Sequence, residues 1–233
     1  MTSLFVLILA VAFAASPLLV PDFGGFDPEQ YPVPQTDPPV QPAGYAFSIW
    51  GPIYLWLIAH GIYGVWKRRD DPDWEPMRTP LIGSLAVGTV WLAVAVASPI
   101  WATVLIWVML VAAAGAYLRA PERDRWWAEA PVGLYAGWLT AASSVSVGLV
   151  LAGWGVVDAR TAAWIGLVIA LILATAIHTA RPSLPYAAAV IWALIAVVVQ
   201  NLGGAVSVAI LAGIGAAGVA ALAARSALGP RAA

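Results

Sequence analysis

Residues 79–118 read TPLIGSLAVGTVWLAVAVASPIWATVLIWVMLVAAAGAYL, and no charged side chain interrupts them. A hydrocarbon layer about 30 Å thick is crossed by roughly 20 helical residues, so this stretch is long enough to cross twice. Only Ser98-Pro99 divides it. Proline is tolerated in the first turn of a helix but disfavoured inside one, which predicts a tight hairpin of two membrane helices over 79–98 and 99–119.

Working outward from this hairpin, the same length rule finds six further apolar runs, near 3–20, 45–66, 129–153, 161–179, 184–200 and 203–224. The last two are separated only by Gln200-Asn201-Leu202-Gly203, which predicts a second hairpin. Pro80, Pro99, Pro131 and Pro185 read as helix-start markers. The first run has the short apolar core and Ala-Phe-Ala site of a signal peptide but no basic segment before it, so it reads as a retained helix. The fold class is all-α: a polytopic membrane helix bundle with about eight transmembrane helices.

Composition agrees with that class. Hydrophobic residues make up 62% of the 233 and charged residues 10%, with a mean hydropathy of +0.86, whereas soluble domains carry about 25% charge. The net charge of -1 and the lack of a long basic block exclude a nucleic-acid partner. With no cysteine, disulfides, thiolate chemistry and Cys-ligated metals are excluded as well.

Loop charges predict orientation. Lys67, Arg68, Arg69 and Arg78 follow the second run, Arg119, Arg123 and Arg125 the fourth, Arg181 the sixth, and Arg225 and Arg231 the eighth. With eight spans all of these share one side. The other side has Arg160 alone and an acidic loop with Asp22, Asp27, Glu29 and Asp37. The positive-inside rule then places both termini in the cytoplasm, with the proline-rich segment 21–44 facing outward as an extended loop.

All 11 Lys and Arg and all 12 Asp and Glu residues fall in loops or at span ends. Ion-coupled carriers and proton pumps keep ionisable groups at mid-depth, so their absence argues against that class. No Ser-His-Asp set, paired carboxylate site, P-loop or zinc spacing is present, and the reading is non-enzymatic. His60 and His178 could suggest a haem, but their depths differ by about one turn and a hydrogen-bonded structural role is the default for each.

Tryptophan is abundant, with 13 residues. Trp66, Trp101, Trp126, Trp127, Trp154 and Trp164 fit an interfacial belt. Trp56, Trp91, Trp107, Trp138 and Trp192 lie near the middle of their spans, where a buried indole N–H needs an acceptor. They either line a shared cavity or fill a bundle core.

In the second span Phe47, Trp50 and Tyr54 share one stripe and Trp56, His60 and Tyr63 another, with a kink expected at Gly51-Pro52. The fifth span combines Tyr135 and Trp138 with Thr140, Ser143, Ser144 and Ser146, hydroxyls that can bond back to their own helix. The Gly133/Gly137 pair and the Ala209, Gly213, Ala217, Ala221 stripe predict close helix packing or a homodimer.

PAGYAFSIWGPIY after the proline-rich loop, the tryptophans of the third and fourth spans, and PVGLYAGWLTAASSVS over 131–146 together resemble the tryptophan-rich sensory protein (TspO/MBR, translocator protein) family, in a longer bacterial branch. The resemblance covers residues 1–153, a five-helix domain, and leaves 154–233 as a three-helix extension. It implies a pocket beneath the loop between the first two helices that accepts porphyrins and other flat apolar molecules, and no bound cofactor beyond such a ligand. Phe47, Trp50 and Tyr54 match the family's aromatic stretch at the start of helix two, one residue shorter between the first two rings. Trp91 matches a helix-three tryptophan, and Trp138 and Thr140 a helix-five W-x-T. With Trp107 and Tyr135 these form the candidate ligand-binding set. The expected function is a binding and sensory protein in the lipid bilayer that holds a hydrophobic small molecule, with a lipid or porphyrin transporter and a membrane assembly subunit as alternatives.

Overall fold

The computed structural model describes residues 1–20 and 25–228. Asp22 and Arg231, counted among the loop charges, lie outside the described residues. Within them the chain forms eight α-helices: α1 (Thr2–Leu19), α2 (Trp50–Lys67), α3 (Glu75–Ala95), α4 (Pro99–Leu118), α5 (Glu129–Gly153), α6 (Ala159–Ala180), α7 (Leu184–Asn201) and α8 (Val206–Leu228). Seven of these are long and apolar enough to cross a membrane. The exception is α2, whose aliphatic residues are diluted by Gly51, Pro52, His60, Lys67 and five Trp or Tyr side chains. It nevertheless packs between α1 and α5 within the bundle. The expected polytopic helical bundle is the fold observed.

Two proline readings need correction. Pro80 lies inside α3 rather than at its start, because Pro76 already occupies the first turn and the helix begins at Glu75. The expected kink at Gly51-Pro52 is absent as such: a 3-10 segment over Gly44–Ile49 leads into α2, which puts Pro52 in the first helical turn. There its missing N–H has no intrahelical partner to lose. Pro99 and Pro185 do mark starts, and the Ser98 hydroxyl accepts a hydrogen bond from Trp101 N–H to cap α4.

The centre of the molecule is α5, which is buried along most of its length. It packs on α4 on one side and on α6 and α7 on the other, while α3–α4 and α7–α8 form the two hairpins. A Cβ at Gly137 would run into the Tyr186 carbonyl oxygen, so α5 and α7 touch backbone to backbone. Gly133 faces Tyr117 and Ser183. The GxxxG pair is therefore spent on packing within the chain. The α8 stripe is used only in part: Ala209 is buried and Ala217 and Ala221 are exposed, and the helix packs instead through Ala212, Gly215, Ala216 and Val219.

The loops after α2, α4 and α6 meet at one end of the bundle. Arg68 binds both carboxylate oxygens of Asp124, at 2.6 and 3.1 Å, and Tyr117 donates to the Arg181 carbonyl at 2.5 Å. Arg78, at 2% exposure, donates to the Arg69 and Arg68 carbonyls and to Glu75. Segment 25–49 covers the opposite end.

Candidate ligand-binding site

The covering loop is proline-rich and contains two 3-10 segments, Pro28–Gln30 and Gly44–Ile49. Asp27 caps the first by accepting from Glu29 N–H, and Gln30 returns a bond to Asp27 N–H. Prolines cannot pair with one another through N–H groups, so the loop is fixed from outside. Gln30 Nε2 donates to the Ala95 and Val96 carbonyls at the end of α3, and Val33 N–H to Gly153 at the end of α5. Three more bonds go to α7: Ala43 N–H to Ala196 O, Trp192 Nε1 to Ala46 O at 2.9 Å, and Asn201 Nδ2 to Pro39 O at 2.9 Å.

Val40 is among the loop's most buried apolar side chains, at 1% exposure. It sits in a notch between α5 and α6 made by two glycines. A Cβ at Gly148 would lie 2.8 Å from Val40 Cγ2, and one at Gly166 would lie 3.0 Å from it. Any side chain at either position would push the loop outward.

Beneath Val40, Gln41 and Pro42 lies a cavity of about 80 Å³ with almost wholly apolar walls. Its near wall is Phe47, Trp91, Ile106 and Trp138; its far wall comes from α6 and α7, through Gly166, Leu167, Ala170, Ala193, Leu194 and Val197. Ser144 and Ser146 also border it, but their hydroxyls return to the Thr140 and Ser143 carbonyls. The volume is about half that of an apolar cavity of roughly 150 Å³ known to admit benzene. In this closed form the cavity has room for part of a slender molecule and none for a macrocycle.

The eight candidate residues divide into three groups. Phe47, Trp91 and Trp138 line the cavity. Trp50, Tyr54 and Tyr135 do not: they form an adjoining aromatic cluster around Phe13, whose ring meets theirs edge-on at 5.6, 5.0 and 5.8 Å. Trp50 stacks on Tyr54 at 5.2 Å and 19°, and Tyr135 bonds through its hydroxyl to Ser84 at 2.9 Å. The cluster touches the cavity only indirectly, through edge contacts of Phe47 and Trp50 with Trp138, each at 6.1 Å. Trp107 and Thr140 form the third group. Trp107 is half-buried outside the cavity lining, and Thr140 bonds to Ala136 O and Tyr186 OH.

The mid-depth indoles divide in a similar way. Trp91 donates to Ala102 O at 2.9 Å and Trp192 to the loop, while Trp56 pairs with Trp126 at 4.7 Å. Trp138 differs. It is 2% exposed, it lines the cavity, and its N–H has no partner among the described residues. A buried donor left unpaired costs about 1–3 kcal/mol, which a hydrogen-bond acceptor on a ligand would recover.

Of the hydroxyls in α5, Thr140, Ser144 and Ser146 bond back to their own helix and Ser143 reaches Ile106 O on α4. His60 is a structural residue at the other end, bonded at 2.7 Å to Trp127 O and stacked on Trp74 at 5.2 Å. Among the described residues no three His, Cys, Asp or Glu side chains converge as metal ligands.

The sequence reading missed α6 and α7 as walls of the cavity and α7 as an anchor of the loop. The signals were present: two glycines in adjacent spans, a valine at position 40 of a polar proline-rich loop, and Asn201 at a span end. The fold and site define a multi-pass membrane helical bundle with an apolar cavity under an outer loop. The chain matches the TSPO-like protein family over residues 4–225, all eight helices, and belongs to that family. No curated protein and no solved structure matches it.

Proposed function

We propose that this protein is a non-enzymatic membrane binding protein that takes an apolar molecule beneath the loop at 25–49, in the cavity between α3, α4, α5, α6 and α7. The apolar cavity, lined by a Trp138 whose buried N–H has no partner among the described residues, carries this reading. On this reading the helices beyond residue 153 complete the binding site of the five-helix part. The tetrapyrrole implied by the family resemblance would enter only with the loop raised from the Gly148/Gly166 notch, since the closed cavity is far smaller than the roughly 300–1,000 Å³ of drug-sized sites.

Charge distribution supports an inner-membrane orientation in a bacterial cell, with the loop outside and the termini in the cytoplasm. Binding of radiolabelled decanol to protein in lipid nanodiscs, corrected for empty nanodiscs, tests the site. Saturable binding that is lost on Ala193→Leu, which fills the cavity, is expected. Linear partitioning equal to that of empty nanodiscs would overturn the reading.

A further inference from the structure

We propose that the ligand is an amphiphile with a neutral or cationic head and one slender apolar tail: the tail fills the inner cavity and the head sits in a second, outer cavity formed by the loop. This rests on the binding reading above. The outer cavity has about 550 Å³ and is lined chiefly by Asp27, Gln30, Gln35, Thr36, Asp37 and Gln41, with the Val96 end of α3. Gly25, Phe26 and Gln41 line both cavities. The two spaces are therefore adjacent, with Phe26 and Gln41 as the partition between an apolar room and a polar one. A molecule spanning both must be amphiphilic.

Charge narrows the head. Two carboxylates and no basic side chain line the outer cavity among the described residues. Asp37 makes no hydrogen bond or ion pair within the described protein, and Asp27 uses one carboxylate oxygen as a helix cap. The same end of the bundle carries Glu29 and Asp158, and Arg160 is its single base among the described residues. Headgroup sulfates, phosphates and carboxylates would meet repulsion there, and a quaternary or primary ammonium would meet attraction. The inner cavity limits the tail to a slender chain, and the buried Trp138 N–H favours an oxygen on the ligand within its reach.

Decyltrimethylammonium, decanol and decyl sulfate share a tail and carry fixed positive, neutral and negative heads. Their saturable binding to the full chain in zwitterionic nanodiscs, corrected for empty nanodiscs, separates the contributions. Decyl sulfate is expected to bind at least about fivefold more weakly than decyltrimethylammonium, the upper range for exposed charge pairs. The double variant Asp27→Asn, Asp37→Asn should bring the two to within about twofold. Asparagine keeps both the helix cap at 27 and the left-handed turn at 37, where φ is 48°. Equal binding of the two ions, or a ranking unchanged in the double variant, overturns the head assignment while binding lost on Ala193→Leu leaves the binding reading standing. If no probe saturates, the binding reading itself fails.

Discussion

Where the loops after α2, α4 and α6 meet, the closing contacts are ionic and stacked: Arg68 on Asp124, Arg123 on Asp71, Arg78 buried under two carbonyls, and Tyr63 lying flat on Trp127 at 5.1 Å and 2°. At the opposite end the loop at 25–49 is held by neutral hydrogen bonds to the ends of α3 and α5 and along α7, and by one valine in a glycine notch. The second end has two adjoining cavities. Charged bonds that lose one partner leave a costly buried group, whereas neutral bonds are worth about 1 kcal/mol each and can be exchanged for water. The two ends are thus closed by different chemistry, charged at the first and neutral at the second.

Five substitutions measure how far this contrast holds, with the largest effect first. Arg78→Met leaves the Arg68 and Arg69 carbonyls without their buried donor and should cost about 3 kcal/mol, read as a loss of thermal stability in detergent with no gain in exchange at residues 38–46. Asp124→Asn keeps the backbone turn, whose φ is 58°, but loses the charge bonded to Arg68. That bond holds the Asp124 carboxyl below its ordinary value of 3.8. Its stabilisation is therefore full above that value and fades as pH falls through the lower folded one. The melting temperature of the variant should be a few degrees lower at pH 7, and the gap should close below about pH 4.

At the other end, Trp192→Phe and Asn201→Ala each remove one neutral bond to the loop, worth about 1 kcal/mol. Hydrogen exchange should rise at residues 38–46 with little change in global melting. Equal loss at both ends of the molecule would contradict the contrast. Ala193→Leu fills the inner cavity and should raise stability slightly, by up to about 1 kcal/mol, while removing binding.

The helix count and most boundaries were legible from hydropathy and proline position, because length across a bilayer is a constraint read directly from composition. The hairpin at Ser98-Pro99 and the Asn201 end of α7 fall where the runs break. The start of α3 was not legible, since Glu75 and Arg78 form a charged first turn that hydropathy excludes. For the site, periodicity placed Trp50 and Tyr54 on one face of α2 but could not say that Phe13 of α1 would fill the space before them. The resemblance directed attention to the first five helices. The far wall lies in the next two, whose cavity residues are glycine, alanine, leucine and valine and look like any membrane helix.

The central claim, that the cavity under the loop receives a ligand, is tested most directly by photolabelling. A diazirine analogue of decanol, irradiated with the nanodisc-embedded protein, should label residues 141–149, 166–170 and 193–197. Excess decanol and the Ala193→Leu variant should both suppress that labelling. Labelling confined to lipid-facing positions such as Leu55, Val111 and Ile172, which are 72%, 69% and 63% exposed, and indifferent to excess decanol, would contradict the account.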